Sequence, residues 1–208
     1  MIFDIRDYNA VGDGETMNTA AIQAAVDACF ENGGGRVLVA GGTYKTGSFT
    51  LKSNVELHIA ANGVLLGSEH CEDYPEKTGL KHVDSKCLPR RRNACLIFAE
   101  EAENISITGM GKIDGNGTYF VTEQQGDWFG WKYVRIDAPT PPRMVFFTGC
   151  KNIRIEDVTM VNQPAGWGYW IHDCDYVSFD KCKIFAELRY PNNDGIHINS
   201  SRNVTISN

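Results

Sequence analysis

The chain of 208 residues is long enough for one domain with a real core, and 42% hydrophobic against 22% charged residues excludes a disordered or fibrous protein. A formal charge of −6 argues against nucleic acid as a partner, and no apolar run approaches the roughly 20 residues that cross a membrane. The seven cysteines, Cys29, Cys71, Cys87, Cys95, Cys150, Cys174 and Cys182, are odd in number and irregular in spacing, which fits reduced, buried thiols better than a disulfide framework.

His70, Cys71, His82 and Cys87 match no common zinc spacing, so neither a metal nor another cofactor is expected. No basic stretch followed by an apolar one precedes Ile2-Phe3-Asp4, so the expectation is a cytoplasmic protein, or a secreted one whose leader has been removed. Oligomeric state is not legible in the pattern.

Phe3-Asp4-Ile5 alternates, and Gly12-Asp13-Gly14 supplies a turn. Asn18 or Thr19 then caps a helix over about 18–30, with Ile22, Ala25, Val26, Cys29 and Phe30 at helical spacing. Asn32-Gly33-Gly34-Gly35 ends it and Val37-Leu38-Val39 starts a strand. This order, helix then glycines then strand, is the reverse of what phosphate capture at a helix N-terminus requires.

After residue 36 short β-branched runs recur. Asn54-Val55-Glu56-Leu57, Asn104-Ile105-Ser106-Ile107, Asn152-Ile153-Arg154-Ile155, Tyr176-Val177-Ser178-Phe179 and Asn203-Val204-Thr205-Ile206 each place a turn residue, or Tyr once, before an apolar-polar alternation. The spacings are 24 from Asn152 to Tyr176, 27 from Tyr176 to Asn203, and 48 from Asn104 to Asn152, read as two turns of 24. A period of this size marks a solenoid, and units too short for helical crossovers stack as parallel strands.

The expected fold is therefore all-β, a right-handed single-stranded parallel β-helix forming one domain over 1–208. Residues 1–36 serve as the N-terminal cap region, because an uncapped solenoid exposes strand edges and core. Cys150 and Cys174, each two residues before the turn position, should stack on adjacent coils.

Insertions at about 68–93 and 115–142 lie where solenoid loops commonly build a binding face. The first ends in Arg90-Arg91-Arg92, and the second carries Trp128, Trp131 and Tyr133. Three arginines either hold a carboxylated ligand or form a solvated charge run, and the aromatics either face sugar rings or pack on the solenoid wall.

The best candidate for chemistry is Tyr190-Pro191-Asn192-Asn193-Asp194-Gly195-Ile196-His197-Ile198-Asn199. It sets one carboxylate among amides and an imidazole, beside a glycine that lets backbone approach a ligand. Strict alternation puts Asp194 on the inward face with Ile196 and Ile198, so a bulge or bend at Gly195 is expected to turn it outward. His197 either binds a substrate carboxylate or caps a surface strand.

Phe3 through Gly14, Ala21-Ile22-Gln23-Ala24-Ala25-Val26-Asp27-Ala28-Cys29, Asn104 through Gly109, Ile113-Asp114-Gly115-Asn116-Gly117, Pro142-Arg143-Met144-Val145 and Asn162-Gln163-Pro164 leading to His172 together resemble the polygalacturonase-type glycoside hydrolases, glycoside hydrolase family 28. Asn192-Asn193-Asp194-Gly195 is similar to that family's Asn-Thr-Asp-Gly motif. The resemblance implies a pectin-lyase-like solenoid, inverting hydrolysis of pectic polysaccharide or oligogalacturonide, a catalytic role for Asp194, and substrate-side roles for Asn192 and His172.

Gly166-Trp167-Gly168-Tyr169-Trp170 departs from the family's single tryptophan before the histidine, which leaves sugar contact by that segment open. The family's adjacent aspartate pair, with its general acid, would fall after Asn208. The expectation is thus a truncated piece of a longer enzyme with little or no activity by itself, since hydrolysis needs two carboxyl groups. The rival readings are a calcium-dependent β-helix lyase, which needs clustered acids on adjacent coils, and a non-catalytic carbohydrate-binding solenoid.

Overall fold

The computed structural model describes residues 1–83, 93–125, 131–135 and 142–208, with side chains for 1–83, 93–123 and 142–208. They wind as a right-handed parallel β-helix with three sheets. The seven-stranded sheet runs through Ile2–Asp4, Gly35–Val39, Val55–Ile59, Glu103–Thr108, Lys151–Glu156, Asp175–Asp180 and Arg202–Ser207. The six-stranded sheet begins at Asp13–Met17 and ends at Lys183–Phe185. The five-stranded sheet takes Phe49–Thr50, Cys95–Glu100, Arg143–Thr148, Tyr169–His172 and Ile196–Asn199.

Alternation along each strand decides what is inside. Val37, Leu57, Ile107, Ile155 and Phe179 lie in register on successive rungs and are buried. Each such side chain contributes roughly 1.5–3 kcal/mol of burial free energy. The neighbouring positions Arg36, Glu56, Ser106, Arg154 and Ser178 share the opposite face.

The turn residues that announce the repeat act through their backbone. Asn54, Asn104, Asn152, Tyr176 and Asn203 all hold φ between 53° and 63°, the left-handed region that asparagine tolerates and tyrosine does not favour. The asparagines also bond one another: Asn104 Nδ2 donates to Asn54 Oδ1 at 2.9 Å, and Asn152 Nδ2 to Asn104 Oδ1 at 3.0 Å.

This ladder corrects the reading of the longest spacing. Ser106 pairs directly with Arg154, so the 48 residues between the two rungs are one coil carrying an insertion, not two turns of 24. The insertion contains an antiparallel hairpin, Val121–Gln125 with Trp131–Arg135, that belongs to none of the three stacked sheets.

Helix α1 spans Thr19–Glu31 and buries Ile22, Ala25, Val26 and Cys29 against the first coil, whereas Phe30 stays 43% exposed under the Lys52 ammonium. Asn18 precedes the helix without capping it through its side chain. Its amide is used to fix the preceding loop, accepting from Val11 N at 2.7 Å and donating to the Val11 and Thr16 carbonyls. The glycines after α1 are needed for approach: a Cβ on Gly35 would sit 2.8 Å from the Met1 carbonyl oxygen.

Among the described residues Cys29, Cys95, Cys150, Cys174 and Cys182 are free thiols. Cys150 and Cys174 are both buried and interact on adjacent rungs. Burial pushes the Cys95 thiol up to about 12. Cys87 lies outside the described residues.

Candidate active site

The outer face of the five-stranded sheet is aromatic. Thr50, Phe98, Phe146, Trp170 and His197 occupy one row of the register. Phe146 stacks on Trp170 with centroids 4.0 Å apart and planes at 11°, and Phe98 follows at 5.6 Å. Leu80 and Val83, from the insertion after residue 67, pack over this row and leave Phe98, Phe146 and Trp170 at 8%, 0% and 3% exposure. The insertion thus closes the N-terminal stretch of the face, and the uncovered part begins at the rung of Asp194 and His197.

Asp194 lies just before the strand Ile196–Asn199, and the chain bends at Gly195. Alternation within the strand therefore stops short of Asp194, whose carboxylate is exposed and makes no hydrogen bond among the described residues. Its backbone, by contrast, is held firmly. The Asp194 carbonyl accepts from Gly168 N at 2.8 Å and from the buried Gln163 Nε2 at 3.1 Å, and the Gly195 carbonyl accepts from Tyr169 N at 2.9 Å. Only glycine fits at 168, where a Cβ would lie 2.6 Å from the Gly195 oxygen.

Asn192 is exposed in the left-handed conformation with φ 54°. Asn193 turns inward and donates to the Glu187 carbonyl at 3.0 Å.

His172 and His197 sit on neighbouring rungs but differ in availability. Trp170 Nε1 donates to Asn199 Oδ1 at 2.7 Å, so the Asn199 amide nitrogen faces His172 Nδ1 at 2.6 Å and donates to it. That leaves the proton on Nε2, which donates to the His82 carbonyl at 2.9 Å. Both nitrogens of His172 are therefore occupied within the protein. His197 has no hydrogen-bond partner among the described residues, and its ring lies flat on Trp167 with centroids 3.5 Å apart.

His82 fastens the covering insertion. Its Nδ1 meets Asp173 Oδ2 at 2.7 Å and its Nε2 lies 3.5 Å from Glu101 Oε1, so it bridges turns on either side of Gly149. The bond to Asp173 raises its proton affinity above the ordinary 6.5, with Glu101 adding to the effect against burial. A Cβ on Gly149, whose φ is +63°, would meet His82 Nε2 at 2.3 Å.

The structure brings Asp194, Asn192 and His197 to one rung and places His172 on the preceding one. Arg90-Arg91-Arg92 and Trp128 lie outside the described residues, and Trp131 and Tyr133 belong to the hairpin strand. Residues not anticipated as a group are Gln163, which ties to the Asp194 backbone, and Arg143, whose Cζ lies 4.4 Å and 4.5 Å over the rings of Trp167 and Trp170. The motif around Asn162-Gln163-Pro164 was visible, but its contact with Asp194 depends on a register hidden by the insertions.

A parallel β-helix with an exposed carboxylate beside an aromatic, partly closed face belongs to the class of solenoids that includes the pectin-degrading hydrolases. The family model for glycosyl hydrolases family 28 matches residues 50–208, and the chain belongs to that family. It is 29% identical to an exo-poly-alpha-D-galacturonosidase of Dickeya chrysanthemi, covering 100% of this chain and 40% of that protein. A probable polygalacturonase of Vitis vinifera is 31% identical over 96% of this chain and 40% of its own length. The solved exopolygalacturonase of Thermotoga maritima superposes with a TM-score of 0.78 at 25% identity, over 99% of this chain and 51% of that one. The chain thus spans about 40% of the length of these two curated relatives.

Proposed function

We propose that the protein binds the end of a galacturonate-containing pectic chain and that Asp194 activates the water in an inverting hydrolysis. Family membership and the names of the relatives support the substrate class. One observation carries the role of Asp194: the backbone of Asp194 and Gly195 is fixed by three hydrogen bonds across the turn while the Asp194 carboxylate is exposed and uncommitted. An inverting reaction places the second carboxyl group roughly 6.5–9.5 Å away, leaving room for water between them.

The wall of Leu80 and Val83 supports action from a chain end, because it covers the row that a long polymer would need to follow. The lyase alternative is disfavoured by the occupied acids. Asp173 is bonded to His82, Asp175 to Arg202 and Asn203, and Asp180 to Ser207 and Asn208.

The test is product analysis on polygalacturonate with the wild type and Asp194→Asn. Release of short uronates by the wild type, reduced about 1000-fold in the variant, is the expected result. A variant that keeps more than a tenth of the rate refutes the role, and a broad ladder of long oligomers refutes action from an end. The same assay on the 208 residues alone asks whether they hold both carboxyl groups: turnover well above background shows that they do. Binding of trigalacturonate without turnover shows that the second acid comes from elsewhere.

A further inference from the structure

Trp167 has both faces of its indole occupied. His197 lies parallel to it, with planes at 7° and centroids 3.5 Å apart, and the Arg143 guanidinium carbon is 4.4 Å over the same ring. Planar groups in contact need about 3.5–4.0 Å each, so two of them this near one centroid occupy opposite faces. The resulting order is Arg143, Trp167, His197. Arg143 is only 7% exposed and also lies 4.5 Å over Trp170, which meets Trp167 edge-on at 5.5 Å.

This arrangement resolves what the Gly166–Trp170 segment does. An indole covered on both faces takes no sugar ring on either, so its effect on a ligand passes through His197. The faces of that imidazole are restricted by the stack, but its nitrogens are uncommitted, unlike those of His172. Burial and the Arg143 charge hold the His197 proton affinity below its ordinary value, against the pull of Asp194. A neutral imidazole offers one donor and one acceptor, which suits sugar hydroxyls.

We propose that Arg143 is a positioning residue that acts through Trp167: by filling one indole face it leaves the other to hold His197 flat beside Asp194, with its nitrogens directed to hydroxyl groups of the bound sugar. The proposal deepens the function given above and rests on it for the identity of the ligand. Lysine does not substitute for Arg143 here, because an ammonium lacks the planar surface with which a guanidinium covers an indole face.

The experiment combines histidine side-chain NMR titration of the ligand-free chain, with His197 assigned from His197→Gln, and calorimetric binding of trigalacturonate. Trp167→Leu and Arg143→Met are expected to move the His197 midpoint upward, and Trp167→Leu to weaken trigalacturonate binding about 10-fold. Trp167→Phe, which restores an aromatic face, should bind within about 3-fold of wild type. Arg143→Lys keeps the charge but should shift the His197 signals, which gives a readout if the larger truncations fail to fold.

A His197 midpoint unchanged in Arg143→Met and Trp167→Leu overturns the positioning role, as does unweakened binding by Trp167→Leu. Shifted titrations with no trigalacturonate binding even by the wild type support the stack and overturn the galacturonate ligand.

Discussion

The outer faces of the seven-stranded and five-stranded sheets are built from the same coils, yet they spend their polar groups differently. On the seven-stranded face Glu56 accepts from Arg36 at 2.8 and 3.2 Å and from Thr108 at 2.7 Å, with Arg154 at 3.6 Å. Although burial opposes it, these bonds hold the Glu56 carboxyl below its usual range. Arg154 is also paired with Glu156, and His58 Nδ1 with Thr108 at 2.9 Å. The five-stranded face carries fewer charges, but Asp194 and His197 are uncommitted at its open end. Density of charge is not what singles out the proposed site. Unused hydrogen-bonding capacity on a fixed backbone is.

The sharpest way to break that contrast is to exchange the treatment of two acids. Asp194→Asn should lower hydrolysis about 1000-fold and leave the urea midpoint unchanged, since no hydrogen bond is lost. Glu56→Gln should do the reverse, keeping activity while costing about 1–3 kcal/mol in urea unfolding, because its arginine and threonine partners lose a charged acceptor. Matching losses of activity in both variants would erase the distinction between the faces.

Phe146→Ala probes the covered stretch of the five-stranded face. Removal of a fully buried ring that stacks on Trp170 should cost about 3–5 kcal/mol and loosen the wall of Leu80 and Val83. If that wall sets end-directed cleavage, whatever activity survives should yield longer products. Unchanged products at reduced stability would show that the wall only packs.

Smaller effects test the turns. Asn104→Ala should cost about 1–2 kcal/mol, losing two ladder bonds and forcing alanine to hold φ 55°. Tyr176→Asn should stabilise by roughly 0.5–1 kcal/mol by relieving a tyrosine at the same φ. Thermal or urea unfolding decides both signs.

The smallest expected effect is that of pH on the His82 fastening. The folded protein raises the His82 proton affinity, so its contribution is complete below the ordinary value of 6.5 and fades as pH rises through the folded value. The difference in stability between wild type and His82→Asn should therefore shrink from pH 6 to pH 8, by less than about 1 kcal/mol because the pair is partly solvated. A difference that grows with pH would reject the assignment.

The solenoid was legible because Asn54, Asn104, Asn152 and Asn203 fix left-handed turns and the residues after them alternate. The bend at Gly195 was legible too, since Asp194 and Ile196 make conflicting demands on a straight strand. Coil counting was not, because a spacing of 48 divides into two shorter periods as readily as into one coil with an insertion. Only strand pairing distinguishes them. The Arg143, Trp167 and His197 stack was hidden for a related reason. Trp170 and His197 become neighbours through register across a 27-residue lap, and no local pattern announces which side chains such laps bring face to face.

The laps themselves differ widely. Glu56 follows Arg36 by 20 residues, whereas Asn104 follows Asn54 by 50, and both steps advance the stack by one rung. The asparagine corners act as rivets that return the backbone to the same place however far it has wandered. Variation in the outward excursions is thereby separated from the framework, so a wall like that of Leu80 and Val83 can be exchanged as a cassette between the corners without refitting the rungs on either side.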